Sequence, residues 1–422
     1  MTRQIVILGG GTGGTLLANR LDRTLSRTEA RITVVDRDDD HLYQPGLLFV
    51  PFGAAHSQRL VRRRSAQLRP GVSWRQATVD RVDVDERRVH LADGSELPYD
   101  VLVIATGARL LAEETEGLTG PGWNERVFTF YTAQGAGRLG RALRLFTGGR
   151  LVVNVIDMPI KCPVAPLEFC FLADAYFRRR GIRDDVDIVY ATPLDSAFTK
   201  PVAAKTLGAL LQRKRIGLVT EFNTGEVNGA AGRLTAYDGR EIDFDLAAVV
   251  PLHAGADFVG RTPGLGDALD FVMTDPNTLQ AKVSPDVFAL GDATDLTASK
   301  AGSVAHFEGE VLAANVAHLL RDEPLETSYD GHVNCFVETG DGKALLIDFN
   351  TDVEPVPGHF PGPVGLPLLA ESRLNHWGKR AFEQIYWHGL LPGRDLPFVG
   401  AAMPRAGKRL PILYVVSEEG SE

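Results

Sequence analysis

A chain of 422 residues has room for two or three cores, since domains run to roughly 100–200 residues each. Its 44% hydrophobic and 23% charged residues are those of a folded globular protein, and a net charge of -9 gives no support for nucleic-acid binding, which would call for a basic stripe. Three cysteines cannot build a secreted disulfide framework and fit a reducing compartment, and no apolar run approaches the ~18 residues of a spanning helix, so membrane contact is expected to be peripheral.

The first predicted strand, Arg3–Leu8, begins at once, so no secretory signal is expected ahead of it. It runs into the glycine loop Gly9-Gly10-Gly11-Thr12-Gly13-Gly14 and a helix to about Thr24. Strand, loop and helix in that order form the fingerprint that lets a pyrophosphate approach bare backbone, with Gly9, Gly11 and Gly14 as its contacts. A second strand, 31–36, ends in Asp36, 22 residues after Gly14, where a carboxylate accepts hydrogen bonds from an adenosine ribose.

Three further segments favour FAD over NAD as the nucleotide. His41-Leu42-Tyr43-Gln44-Pro45-Gly46, with Gln44 at its centre, looks like a loop covering the isoalloxazine. The buried strand 100–105 closes on Ala105-Thr106-Gly107. The later pair Gly291-Asp292 follows another strand, and a helix from about Ala301 to Leu320 comes after it.

A second strand of the dinucleotide-binding kind, 150–157, runs into Met158-Pro159-Ile160-Lys161-Cys162-Pro163. A nicotinamide dinucleotide would need another glycine loop here, yet no glycine stands between Leu151 and Arg180. A cysteine occupies the place, which suggests that electrons reach the flavin from sulfur. The helix expected over about 166–180 and the neighbouring Lys161 should both favour the Cys162 thiolate. Glu168, six residues on, is a candidate proton acceptor on the first helical turn, or a carboxylate merely favourable near a helix N-terminus. Cys335, on a predicted antiparallel strand, becomes half of a redox pair if Cys162 is its partner. Cys170, among Leu167, Ala173 and Phe177, reads as core packing, and His306 as structural; the ten histidines show no clustered metal pattern.

The expected architecture is α/β. Two Rossmann-like domains occupy 1–110 with 265–325 (the discontinuous first) and 111–264 (the middle one), and a C-terminal membrane-interaction region follows over 326–422. Within that region, 371–391 puts Leu374, Trp377, Ala381, Phe382 and Ile385 on one helical face, with Tyr386 and Trp387 beside it. Arg373, Lys379 and Arg380 flank that face as a basic rim. From Glu371 to Pro411 there are seven Lys/Arg against three Asp/Glu, which resembles an interfacial anchor. Cutting the chain after about Leu369 should therefore leave a folded, flavin-loaded protein.

In order along essentially the whole chain, these residues resemble the sulfide:quinone oxidoreductases of the flavoprotein disulfide reductase superfamily. The resemblance rests on the glycine fingerprint, Tyr43-Gln44-Pro45-Gly46, Lys161-Cys162-Pro163-Val164-Ala165-Pro166 and Leu290-Gly291-Asp292-Ala293-Thr294. It continues through Ser299-Lys300-Ala301-Gly302, Ala305-His306-Phe307, Cys335 and the amphipathic C-terminus. It implies FAD as cofactor, with Lys300 and Gly302 near it, and a Cys162/Cys335 centre opposite a quinone pocket. It also implies Glu168 as the family's acidic residue, and Cys335 as the cysteine that touches the flavin. The implied partners are sulfide or a persulfide donor, a membrane quinone and a sulfur-carrier protein, at the cytoplasmic face of the cell membrane. Members often carry another cysteine before the middle domain; 112–131 contains none. An NADH:quinone oxidoreductase of the same fold, and a non-enzymatic FAD protein of sulfur trafficking, are the alternatives.

Overall fold

The computed structural model describes residues 2–327, 329–396 and 399–410. The elements that build the site begin with β1 (Arg3–Leu8), α1 (Thr12–Thr24), β2 (Ala30–Asp36), β3 (Val72–Gln76) and β4 (Val101–Ile104). Then come β5 (Arg109–Leu111), β6 (Val127–Phe128), α2 (Ala133–Leu145), β7 (Gly149–Val155), α3 (Ala165–Arg179) and β8 (Val186–Ala191). They continue with α4 (Pro201–Arg213), β9 (Ile216–Val219), β10 (Leu246–Val250), β11 (Leu252–Ala254), β12 (Val287–Ala289) and α5 (Gly302–Leu320). The last are β13 (Val333–Gly340), β14 (Lys343–Phe349) and α6 (Arg373–Ile385).

The first sheet is five-stranded and all parallel, in the order β12-β4-β1-β2-β3. The strands β12, β4 and most of β1 are apolar on both faces because helices or loops cover each side, whereas the edge strand β3 is polar and largely exposed. Along β1 the side chains alternate between two cores: Ile5 and Ile7 enter one, Val6 and Leu8 the other. β4 does the same, with Val101 and Val103 on one side and Leu102 and Ile104 on the other. The last strand, β12, returns from about 180 residues downstream of β4 to close the sheet.

The second sheet is also parallel, ordered β6-β10-β7-β8-β9. A two-stranded link, β5 with β11, carries the chain into and out of it. α3 starts at Ala165 and gives way to Gly181 with φ +72, a left-handed stop that glycine accepts at no steric cost. The C-terminal hairpin β13–β14 lies across α3 and α5, and α6 packs over the hairpin. Among the described residues no helix is long and apolar enough to cross a membrane.

Candidate active site

Register places the nucleotide motifs side by side. Leu8 is level with Ile104 and Val35, and Ile104 with Ala289, so the residues after them leave the sheet at one height. That edge holds the carboxyl ends of the strands, where open α/β sheets bind ligands. Gly9 has φ +96, and a Cβ there would lie 2.5 Å from the Ala105 carbonyl oxygen. On Gly14 a Cβ would lie 1.8 Å from the Gly9 oxygen, so the loop closes only without side chains. Gly11 and Gly107, by contrast, face open space, with no atom within 4 Å of an added Cβ. Next to Gly107 the Thr106 hydroxyl is buried without a partner. A cradle bounded by bare backbone, with an orphaned hydroxyl in its wall, fits a dinucleotide cofactor.

Asp36 accepts hydrogen bonds from the Gly10 N–H (2.8 Å) and the Arg37 N–H (2.7 Å), and it pairs with Arg64. On the far side Gly291 turns with φ +68, and its N–H donates to the buried Glu308. Burial pushes the Glu308 carboxyl up to about 8. Asp292 is half-buried, its carboxyl raised by burial against the opposing pull of Lys300 and Lys161. The buried Lys300 donates to the Thr294 carbonyl (2.6 Å) and the Asp292 carbonyl (3.3 Å). Gly302 opens α5 and Gln44 opens a short 3-10 turn; both are exposed.

Cys162 stands beyond the end of β7, at the same edge of the second sheet, with a left-handed φ of +51. For a residue with a side chain that conformation stores on the order of 1–3 kcal/mol and persists only where surroundings hold it. Here the Cys162 N–H donates to the Lys300 carbonyl at 2.6 Å, and the Tyr131 hydroxyl donates to the Cys162 carbonyl at 3.3 Å. Lys300 thus ties the cysteine turn to the Gly291-Asp292 turn across the two sheets.

The thiol's acidity is the reverse of the sequence expectation. Burial pushes Cys162 far up, and Glu168 and Cys335 push it further, with the Lys379 ammonium opposing. The helix cap is Val164, so Cys162 lies outside the first turn, and the Lys161 ammonium is influenced by burial and Asp292 but does not figure among the charges acting on the thiol. Cys335, on β13, is pushed up to about 12 by burial and Glu168, with Lys379 and a hydrogen bond from Ser303 opposing. Both cysteines are half-buried and unbridged; Cys170 is fully buried in the core.

Glu168 does sit on the first turn of α3, but it is not a free proton acceptor. It accepts the Glu338 N–H at 2.6 Å and forms an ion pair with Lys379. Burial raises its carboxyl while Lys379 pulls it back. Lys379 also donates to the Phe336 carbonyl at 3.1 Å, beside Cys335. Burial works against this ammonium, but Glu168 and Glu338 outweigh it and keep its pKa above the ordinary lysine value. Two thiols, one carboxylate and one ammonium therefore share a cluster drawn from the turn before α3, from α3 itself, and from β13 and α6.

Helical period corrects the basic rim expected on α6. At ~100° per residue, Leu374, Ala381 and Ile385 fall within about 80° of Trp377, with Arg373 and Arg380 beside them. Lys379 is about 200° away and turns inward. Trp377 is 68% exposed, Leu374 56% and Ile385 41%, whereas the Lys379 side chain is only 12% exposed. Phe382 packs against the core, and Tyr386 and Trp387 are buried. Residues 411–422 lie outside the described residues, but all seven basic residues counted between Glu371 and Pro411 lie within them.

Residues 3–153 match the pyridine nucleotide-disulphide oxidoreductase family. The mitochondrial sulfide:quinone oxidoreductase of Mus musculus is 27% identical over 398 residues, covering 92% of this chain and 86% of that one. Its counterpart in Dictyostelium discoideum is 25% identical over 93% of this chain and 86% of that one. The crystal structure of the sulfide:quinone oxidoreductase of Aquifex aeolicus superposes with a TM-score of 0.78 at 17% identity, over 93% of this chain and 92% of that one. With its two parallel dinucleotide-type sheets, the chain is similar over residues 3–153 to the pyridine nucleotide-disulphide oxidoreductases and over nearly its whole length to sulfide:quinone oxidoreductases.

Proposed function

We propose that this protein is an FAD-dependent oxidoreductase that takes electrons from sulfide, or a persulfide donor, at Cys162 and Cys335 and delivers them to a membrane quinone. The observation that carries the reading is the cluster itself. Two cysteines distant in sequence lie within electrostatic reach of each other, of Glu168 and of Lys379, and Cys162 is tied through Lys300 to the Gly291-Asp292 turn. The cradle at Gly9, Gly11, Gly14, Asp36, Ala105, Thr106, Gly107 and Asp292 is taken to hold FAD, with 1–110 and 265–325 as the flavin unit. Bound there, FAD supplies a two-electron acceptor for the sulfur pair and a donor for quinone.

The residues' own part is thiol chemistry. In the oxidised pair HS⁻ attacks one sulfur; the S–S bond breaks, one cysteine becomes a persulfide and the other leaves as thiolate. Lys379 is the group that eases that step, since it opposes the rise in both thiols and sits beside the Cys335 strand. Glu168 holds Lys379 in place. The exposed stripe of Leu374, Trp377, Ala381 and Ile385 is suited to a bilayer interface, with Arg373 and Arg380 toward the headgroups; the cytoplasmic face of the cell membrane is the expected location.

The reading is tested by anaerobic titration with sulfide, following the flavin absorbance near 450 nm. Stoichiometric bleaching is expected. Bleaching by NADH instead, with none by sulfide, would favour the NADH:quinone reading, which lacks a second glycine loop after β7. Full flavin occupancy without any quinone reduction would favour a non-enzymatic partner in sulfur trafficking.

A further inference from the structure

The segment that follows α6 runs back to the glycine loop. The Tyr386 hydroxyl lies 2.7 Å from the Thr12 Oγ1 and 2.7 Å from the His41 Nε2, and the His41 Nδ1 lies 3.2 Å from the Gly10 carbonyl oxygen. One atom fixes every donor in this ring. The Gly10 oxygen can only accept, so the His41 Nδ1 carries the hydrogen. Burial, the largest influence, holds the His41 pKa down at about 4, so the ring is neutral near pH 7 and Nε2 is a lone-pair acceptor. The Tyr386 hydroxyl must then donate to Nε2, and Thr12 must donate to the Tyr386 oxygen. The Thr12 hydrogen is consumed by Tyr386, which leaves the first-turn backbone N–H groups of α1 to meet an anion.

Further bonds anchor the same segment to α1. The Asn19 side chain donates to the Leu391 carbonyl at 2.7 Å, and the Arg23 side chain to the Pro392 carbonyl at 3.1 Å. Arg20 pairs with Asp395 at 2.6 Å. Tyr43 packs on the Tyr386 ring at 4.8 Å, and the Arg62 guanidinium covers Trp387 at 4.1 Å. Every side chain of the ring comes from a different part of the chain: the glycine loop, the strand after β2 and the C-terminal region.

We infer that Tyr386 is a positioning residue for the dinucleotide: it clasps the glycine loop from behind, so that the C-terminal region sets how tightly the protein retains FAD. The inference rests on the reading that this loop holds FAD. Tyr386→Phe keeps the ring and its packing but leaves the His41 Nε2 without a donor and the Thr12 hydroxyl without an acceptor. Loss of such a partner is worth on the order of fivefold to a hundredfold in an equilibrium.

The test uses full-length protein purified with its flavin. The measurements are the flavin-to-protein ratio and the rate at which flavin fluorescence appears on dilution at pH 7. Tyr386→Phe and Thr12→Val should each release flavin at least fivefold faster than wild type. The double variant should release it no faster than the more affected single one, because both changes open one ring. A merely structural role for Tyr386 would give effects that multiply in the double variant, and that result overturns the clasp. So does release within twofold of wild type in both single variants. Should Tyr386→Phe fail to fold, the near-isosteric Thr12→Val decides alone by the same threshold. Wild-type protein that neither retains nor takes up FAD would overturn the FAD reading together with the clasp, whereas flavin held normally by the variants overturns the clasp alone.

Discussion

At the scale of single residues, function concentrates on a few buried polar groups whose neighbours are distant in sequence. Cys162→Ser and Cys335→Ser should each abolish sulfide-driven bleaching of the flavin, and the double variant should be scarcely worse, since paired groups act as one unit. Cys170→Ser, in the core, should stay within about tenfold of wild type. Substantial turnover by Cys335→Ser would remove the pair from the mechanism. Lys379→Met removes the counter-charge of a buried carboxylate, a class of change that costs roughly 3–5 kcal/mol. It should also slow iodoacetamide labelling of the reduced thiols between pH 8 and 10, because Lys379 opposes the rise in both. Labelling that is unchanged in a folded Lys379→Met protein would show that the ammonium does not act on the sulfurs. Of these residues, the cysteines and Glu168 were legible in the sequence, because their places follow strand and helix signals. Lys379 was read as surface charge, although the helical period alone turns it about 200° from Trp377.

At the scale of elements, α6 and the turn that continues it carry three different duties. The outer stripe of α6 is exposed, its inner face supplies Lys379 and His376 to the carboxylates Glu168 and Glu338, and its continuation buries Tyr386 and Trp387. Truncation after Leu369 therefore does more than remove an anchor. It strips Tyr386, Trp387, Leu390 and Leu391 from the largest core and leaves Glu168 unpaired, so the truncated protein should be insoluble or flavin-free. Surface substitutions make the clean test of membrane docking. Trp377→Ser with Ile385→Ser should leave the far-ultraviolet dichroism and flavin content unchanged while reducing co-sedimentation with anionic vesicles at least tenfold. That figure follows from burial worth roughly 1.5–3 kcal/mol for each large apolar side chain. Vesicle binding equal to wild type would place the docking face elsewhere.

At the scale of the whole molecule, buried titratable groups set the response to pH. His41, His253 and His306 are held down by burial, to about 4, 3 and 4. Each is neutral in the folded protein, whereas in the unfolded chain it takes up a proton near its ordinary value of ~6.5. The stability they confer is complete above about pH 6.5 and is lost as pH falls from there toward 4, at ~1.4 kcal/mol per pH unit for each proton. Glu308, raised to about 8 by burial, works in the opposite sense: its contribution is complete below its ordinary ~4.3 and declines as pH rises to 8. Glu168, Asp292 and Glu310, also raised by burial, share the sign of Glu308, so the histidines are read by difference: His253→Asn should make the melting temperature fall less steeply from pH 6.5 toward pH 4.5 than in wild type. A His253→Asn protein whose melting temperature falls toward pH 4.5 as steeply as wild type would show that this histidine is not neutral in the fold.

The local pattern of the sequence by itself determined the nucleotide edge. Apolar strands that end in Gly9, Asp36, Ala105 and Gly291 must place those residues together once parallel pairing sets a common register. It also determined that Cys162 and not a glycine loop ends β7, which is the strongest indication in the chain of a sulfur donor. What only the tertiary structure decided was the environment of each charge. Whether Lys161 or Lys379 faces a thiol, whether Glu168 is free or paired, and whether Tyr386 meets lipid or Thr12 all depend on packing between segments hundreds of residues apart. Burial then reverses the expected direction of the Cys162 pKa, because removing a thiolate from water costs more than one cation at this distance returns.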